Sequence, residues 1–331
     1  MTSNLQGKQI LVTGAGGFIG SHLVEELVRS GSKVCAFVRY NSRADAGLLK
    51  LLPADVLDEI EIIAGDLRDE DAIRKAVQGR QIVFHLGALI SIPYSYLHPV
   101  EVAATNIMGT LNVLLACRDL GVEKLVHTST SEVYGTARVV PITESHPLHG
   151  QSPYSASKIG ADKLVESFYS AYGLPVVTVR PFNTFGPRQS ARAVIPTIIT
   201  QALACDQIRL GNLETTRDFT YVSDTVAGFI KAAEAENGLG QAINLGTGSE
   251  IRIGELVELI IKKIGRPVRI DSDQQRLRPA QSEVLRLVSD NSLARATLNW
   301  QPQVSLDEGL DLTIEWIKKH LDLYCIGKYE F

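Results

Sequence analysis

Short apolar runs alternate with helically periodic segments along the first half of the chain. Gln9–Val12, Val34–Val38, Ile60–Ala64, Ile82–Leu86 and Leu125–Thr130 are brief and rich in Ile, Val and Leu, the pattern of strands buried on both faces. Between the first two, Ser21–Ser30 sets Leu23, Val24, Leu27 and Val28 on one helix face and closes at Gly31. Longer helices are predicted over about Glu101–Leu120 and Tyr154–Tyr172, the second leading into a strand at Pro175–Val179. Strands of this kind separated by helices predict an α/β fold built on a doubly wound parallel sheet.

After Pro181 the pattern loosens. Gly and Pro punctuate 181–220, Ile243–Leu245 reads as one more core strand, and Ile253–Ile264 as an amphipathic helix. The stretch 266–290 is polar and Arg-rich, and 305–320 is a final helix. With no repeat or long linker, the second domain is expected to interleave with the first. Residues 1–181 with a returning segment of about 218–250 form one domain, and about 182–217 and 251–331 form the other.

Composition adds exclusions. At about 150 residues per domain, 331 residues make roughly two domains. The net charge of −4 and the lack of a Lys/Arg run argue against a nucleic-acid or anionic-lipid partner. Cys35, Cys117, Cys205 and Cys325 lie far apart with no C-x-x-C, so no structural zinc or disulfide framework is expected. No apolar segment precedes Lys8 and no apolar run approaches about 18 residues. A cytoplasmic protein with no membrane partner is the expectation.

Thr13–Gly20 follows a strand and opens a helix, with Gly14, Gly17 and Gly20 spaced G-x-x-G-x-x-G. Such a turn lets backbone approach a pyrophosphate and aims helix N-terminal amides at it, which makes the sheet Rossmann-type and the ligand a dinucleotide. The second strand ends at Arg39, with Arg43 nearby and no acid before Asp45. An acidic residue there would bind a ribose 2′-hydroxyl, whereas Arg pairs with a 2′-phosphate, so NADP is expected over NAD. Asp66, after the third strand, offers an acceptor to the adenine amino group. His85-Leu86-Gly87-Ala88 supplies small residues where backbone passes the cofactor.

Tyr154 and Lys158 stand four residues apart on one helix face. A neighbouring cation stabilises phenolate, letting Tyr154 take a hydroxyl proton as hydride leaves the same carbon. Thr130, at the end of the fifth strand, is placed to hydrogen-bond the reacting hydroxyl. His127 reads as buried core, and His146 and His149 lack a third ligand for a metal.

These motifs resemble the extended short-chain dehydrogenase/reductases that modify nucleotide sugars, nearly end to end. The likeness rests on TGAGGFIG at 13–20, the Asp66 turn, HLGA at 85–88, Asn106, TSTSEVYG at 128–135, YSASK at 154–158 and RPFNTFGP at 180–187. RDFTYV at 217–222 and NLG at 244–246 extend it. The resemblance implies cofactor contacts from Gly14, Gly17, Phe18, Ile19, Gly20, Arg39, Asp66, Leu67, Leu86, Ala88, Asn106, Tyr154, Lys158 and Pro181. It implies substrate contacts from Asn183, Arg217 and Arg278, a smaller interleaved α/β substrate-binding domain, and a homodimer formed through the helices at 101–120 and 154–172.

Glu132 discriminates among reactions. Epimerases need only the hydroxyl, Tyr and Lys, whereas Thr130-Ser131-Glu132 adds a carboxylate able to remove a C5 proton once C4 is a ketone. Thr-Ser-Glu resembles the GDP-mannose dehydratase pattern; glucose-type dehydratases carry Thr-Asp-Glu. Ser131 or Glu132 would then be the general acid. Ser282–Leu310 and the ending Gly327–Phe331 resemble dehydratases of legionaminic-acid-type pathways, which act on nucleotide-linked N-acetylglucosamine. A 4,6-dehydratase on a UDP-N-acetylglucosamine-like substrate is therefore expected. The alternatives are a UDP-glucuronate decarboxylase, with Arg188 or Arg192 meeting the substrate carboxylate, a C4-epimerase, and a non-catalytic dinucleotide sensor.

Overall fold

The computed structural model describes residues 4–327; Lys328–Phe331, part of the tail resemblance, lie outside the described residues. Seven parallel strands form the main sheet. β1 (Gln9–Thr13), β2 (Lys33–Arg39), β3 (Ile60–Gly65), β4 (Ile82–His85), β5 (Lys124–Thr128) and β6 (Val176–Pro181) are joined by the strand Ala242–Leu245. The order across the sheet is (Ala242–Leu245)-β6-β5-β4-β1-β2-β3. Every pairing in it is parallel.

Period-two alternation assigns each strand residue to one of two cores. Ile10 and Val12 face a core with Leu23 and Leu27 of the helix Phe18–Arg29 and Phe229 of Val222–Glu234. Leu11 between them faces a second core with Ile73, Val113, Leu114, Val165 and Phe168. This is the Rossmann-type doubly wound architecture, and its strand order reverses between β1 and β4, the place where such folds open a ligand crevice.

The chain after β6 leaves the sheet, returns through Val222–Glu234 and Ala242–Leu245, and leaves again. Outside the main sheet it forms three small sheets. Phe219–Tyr221 pairs with Asn183–Phe185, Arg269–Ser272 with Gln207–Leu210, and Thr216–Arg217 lies between Ile251–Arg252 and Arg286–Leu287. Asp218, fully buried, ties these pieces together. Its carboxylate accepts from Thr247, Gly248 and Ser289 backbone amides at 2.9, 2.9 and 3.1 Å.

Two expectations change here. The single helix over 101–120 is interrupted: Pro99–Ala103 passes through a π-helical turn at Ala104–Met108 into Gly109–Leu120. The wide turn brings in Asn106, whose amide bonds both Leu89 backbone groups, at 2.8 and 2.9 Å, and Ser157 Oγ at 2.9 Å. Pro99–Leu120 also has the length and apolarity to cross a membrane, contrary to the expectation that no run would. Part of that apolar character serves the second core, where Val113, Leu114 and Ala116 pack with Ile73 and Val165.

Candidate active site

At the reversal point β1 and β4 end side by side, and their loops touch. Gly14 has φ +70°, and a Cβ there would stand 2.7 Å from the Gly87 amide nitrogen. A Cβ on Gly20 would stand 2.2 Å from the Gly14 carbonyl, so glycine is required for the helix to start this close to the strand. Thr13 stitches the two loops: its hydroxyl accepts from Gly87 N at 3.1 Å and contacts His85 Nδ1 at 2.7 Å. The helix Phe18–Arg29 begins at Gly17 with no side-chain cap, leaving the amides of Phe18, Ile19 and Gly20 for an anion. The cradle fits a dinucleotide pyrophosphate.

Around this cradle the other expected cofactor residues occupy different situations. Leu86 and Ala88 lie in the β4 loop, half-buried, and Pro181 ends β6. Asp66 has both oxygens engaged by Arg68, at 3.0 and 2.6 Å, beside Leu67. Arg39 is exposed and reaches Glu101 at 3.3 Å. Asn106 is buried, and its amide, held by Leu89 and Ser157, fixes the loop after β4.

The helix Pro153–Tyr172 starts with a capping box between Ser152 and Ser155, which sets Tyr154 in its first turn. Tyr154 is buried, and burial pushes its phenol well above the usual tyrosine range, opposed by a hydrogen bond from Thr130. Thr130 Oγ1 also accepts the Glu132 amide at 3.2 Å, capping the short 3-10 turn Ser131–Tyr134. Lys158 donates to the Thr128 carbonyl at 2.7 Å, and burial brings its ammonium down to about 8. Thr130 thus reaches Tyr154, Lys158 holds the end of β5 one helical turn on, and buried Ser131 follows Thr130 in the 3-10 turn.

Glu132 joins this set to a second space. Its carboxylate acts electrostatically on Tyr154 and also lines a cavity of about 500 Å³ with Asn183, Arg192, Arg217, Arg276 and Arg278. Asn183 is fixed by two bonds to the Asp218 carbonyl, at 3.1 and 3.3 Å. Arg217 lies 3.8 Å from Glu283, and Arg278 lies 3.8 Å from Glu283 and 3.9 Å from Glu132. Arg278 Nη1 is buried with no hydrogen-bond partner among the described residues, a donor suited to a ligand anion. Arg188 does not take part: it binds Glu25 at 2.5 Å, leaving Arg192 as the member of that pair on the cavity. No metal-binding cluster of His, Cys, Asp or Glu occurs among the described residues.

Sequence reasoning misses three groups here. Glu283 and Arg276 carry no local signal, and their place on the cavity depends on chain returning from far away. The third is a buried polar cluster behind the Tyr154 helix, centred on Asp162 and Arg180 at 2.9 Å. Its one sequence signal is the spacing of Tyr154, Lys158 and Asp162, each four residues apart.

A dinucleotide cradle, a Tyr–Lys–Thr set and an Arg-lined cavity sharing one carboxylate with it define a nucleotide-sugar-modifying enzyme of the extended short-chain dehydrogenase/reductase class. The chain belongs to the GDP-mannose 4,6 dehydratase family, whose sequence profile matches residues 11–313. It is 35% identical to a UDP-glucose 4-epimerase of Mycolicibacterium smegmatis over 93% of this chain and 98% of that one. It is 31% identical to UDP-glucuronic acid decarboxylase 1 of Xenopus tropicalis over 97% of this chain and 75% of that one. The crystal structure of a dTDP-glucose 4,6-dehydratase from Streptomyces venezuelae, solved with NAD bound, superposes with TM-score 0.85 at 29% identity, covering 96% of this chain and 98% of that chain.

Because a left-handed backbone costs a residue with a side chain about 1–2 kcal/mol, and a Cβ would also strike Gly87, Gly14→Ala is expected to weaken dinucleotide binding about tenfold or more. Titration of protein fluorescence with NADH and NADPH measures this; unchanged affinity in the folded variant would free Gly14 from the role.

Proposed function

We propose that the chain is a nucleotide-sugar 4,6-dehydratase acting on a UDP-N-acetylglucosamine-like substrate. The observation that carries this reading is the position of Glu132, beside Tyr154 and on the wall of the cavity that holds Arg217 and Arg278. A bound nicotinamide dinucleotide supplies the hydride acceptor and donor. Tyr154, with the Lys158 cation and Thr130, takes the proton from the C4 hydroxyl as that carbon is oxidised. The resulting C4 ketone acidifies C5, and Glu132 removes that proton while the C6 hydroxyl leaves as water, protonated through Ser131 or by Glu132 itself. With hydride given back to C6 and a proton taken up at C5, the product would be a 4-keto-6-deoxy sugar, with no net consumption of cofactor. Asn183, Arg217 and Arg278 hold the nucleotide diphosphate.

A second reading, UDP-glucuronate decarboxylation, is favoured by Arg192 on the same cavity, where a substrate carboxylate would meet it. NADP is the proposed cofactor, because Arg39 ends β2 with its side chain 65% exposed and its ion pair, to Glu101 at 3.3 Å, open to exchange for a 2′-phosphate. The enzyme is further proposed to be a cytoplasmic homodimer, since the helices Pro99–Leu120 and Pro153–Tyr172 leave Val100, Met108, Tyr169 and Tyr172 exposed.

Replacing the carboxylate without changing its shape separates the two halves of the reaction. Glu132→Gln should keep C4 oxidation but slow elimination by about 10²–10⁴-fold, the usual worth of a general base. Reduced cofactor then accumulates after UDP-N-acetylglucosamine is added, and the unaltered enzyme in D₂O places deuterium at C5. Near-normal turnover by Glu132→Gln would make the carboxylate structural, and CO₂ release from UDP-glucuronate would establish the decarboxylase instead.

For the cofactor, NADPH should bind more tightly than NADH. Arg39→Ala should erase at least about tenfold of the difference, as loss of a charged hydrogen bond worth about 1.5–3 kcal/mol implies. Equal affinities in the unaltered chain would sink the NADP assignment. Sedimentation equilibrium should report a dimer, which Val100→Glu together with Met108→Glu dissociates; a monomer at all concentrations would remove that claim.

A further inference from the structure

Behind the redox pair lies a charge that the proposed reaction does not use. Tyr154, Lys158 and Asp162 recur every four residues and so share one face of the helix Pro153–Tyr172. Asp162 is 6% exposed, and the bonds to its carboxylate come from β5, from the residue just past its end and from β6. Ser129 Oγ donates to it at 2.8 Å and Arg180 at 2.9 and 3.3 Å, while His127 Nε2 stands 3.2 Å from its other oxygen. Arg180 is held in turn by the Tyr134 hydroxyl at 2.9 Å, and Tyr134 donates to Asn244 Oδ1 at 2.7 Å. The carboxylate cannot swing away without breaking this chain.

We propose that Asp162 is a positioning residue for the redox pair, the buried counter-charge that keeps the Lys158 ammonium protonated and aligned behind Tyr154. The proposal rests on the reading of Tyr154 and Lys158 as that pair. An ammonium out of water loses its proton unless an opposite charge is near. The Thr128 carbonyl gives Lys158 a dipole but no charge. Burial already brings Lys158 down to about 8, and Asp162 is the group that opposes the fall. Asp162 stays ionised to do so: burial would raise it, but His127, Arg180 and Lys158 together bring it down to about 2.

The other titratable groups around the pair do not replace it. His85 on β4 and His127 on β5 are both lowered by burial, and as neutral rings they carry no charge to offer. Arg180 on β6 is a like charge to Lys158 and a partner of Asp162. Glu132 and Tyr134 stand on the 3-10 turn, with Glu132 beside Tyr154 and Arg278. A second cavity of about 520 Å³ reaches Asp162 and Arg180 from outside, and Glu144, His146, Lys163 and Glu166 line it.

A direct reading of the lysine tests this without any turnover. The full chain, carrying ¹³Cε-labelled lysine and without added dinucleotide, is titrated by NMR, with the Lys158 signal assigned by its loss in Lys158→Arg. Lys158 should titrate at about 8 in the unaltered chain. Its midpoint should fall by about one unit or more in Asp162→Asn, stay within about half a unit in Asp162→Glu, and rise in Arg180→Gln, where the competing cation is gone. An unmoved midpoint in folded Asp162→Asn would overturn the proposal, as would Asp162→Glu moving as far as the Asn variant. Should Asp162→Asn not fold, Arg180→Gln decides, since a midpoint that fails to rise refutes the coupling. The alkaline limb of turnover on UDP-N-acetylglucosamine should move in the same directions. Absence of turnover on that sugar counts against the dehydratase reading, whereas the midpoints alone decide the role of Asp162.

Discussion

A lysine ammonium that is almost wholly buried is the constraint from which the rest of the site can be derived. Lys158 is 4% exposed, and a cation taken out of water needs compensation close by. The fold supplies it from two directions and fixes the second. The end of β5 turns a carbonyl onto the ammonium, the next turn of the same helix brings a carboxylate, and β5 and β6 lock that carboxylate with Ser129 and Arg180. The carbonyl is backbone and the carboxylate is held by His127, Ser129 and Arg180, so the cation has one geometry. That geometry delivers Tyr154 to Thr130, because the helix cannot rotate without breaking the Asp162 bonds. The cost of burial also moves Lys158 to about 8, close enough to neutrality for its charge to respond to what binds next to it.

The cofactor crevice depends on a different constraint, closeness of backbone. Gly14 and Gly87 meet with no room for a Cβ, and Gly20 lets the first helix begin against the Gly14 carbonyl. The contact lies where the strand order reverses, so the crevice opens at the carboxyl ends of β1 and β4, on the same edge of the sheet as Thr130, two residues past the end of β5. Asn106 extends this device into the next layer. Its amide clamps Leu89 and also holds Ser157, one residue before Lys158, so the loop bordering the cofactor and the helix carrying the redox pair share one side chain.

These two constraints leave very different traces in the sequence. Strands buried on both faces read as apolar runs, and a glycine that must have φ +70° cannot be disguised, so the sheet, the cradle and the Tyr–Lys helix are legible in the chain alone. The π turn at Ala104–Met108 is not, since the apolar period runs through it and its cause is a partner 17 residues away at Leu89. Arg39 reads as a free cation because Glu101 is 62 residues on. Asp162 looks like an ordinary helical acid, since the groups that make it a buried anion stand on β5 and β6, 18 to 35 residues distant. Local chemistry is readable; pairings set by tertiary proximity are not.

The position of Glu132 shows how one scaffold serves several reactions. The dinucleotide cradle and the Tyr154–Lys158–Thr130 set can do no more than oxidise a carbinol carbon and reduce it again, and nothing in them chooses what happens to the ketone between. That choice falls to whatever group faces the sugar from the turn after β5, where Thr130 caps the backbone amide of Glu132. The capping bond fixes the turn to the same hydroxyl that contacts Tyr154, so a base placed two residues later is held in register with the redox centre without contacting it. Arg278 stands 3.9 Å from Glu132 and lines the same cavity, so carboxylate and guanidinium share one space. An anionic ligand on Arg278 would draw that guanidinium toward itself and lengthen its contact with Glu132. A ligand that reaches Arg278 therefore also meets the turn that carries Glu132, and in the proposed dehydratase that turn is where elimination and simple return of the hydride would part.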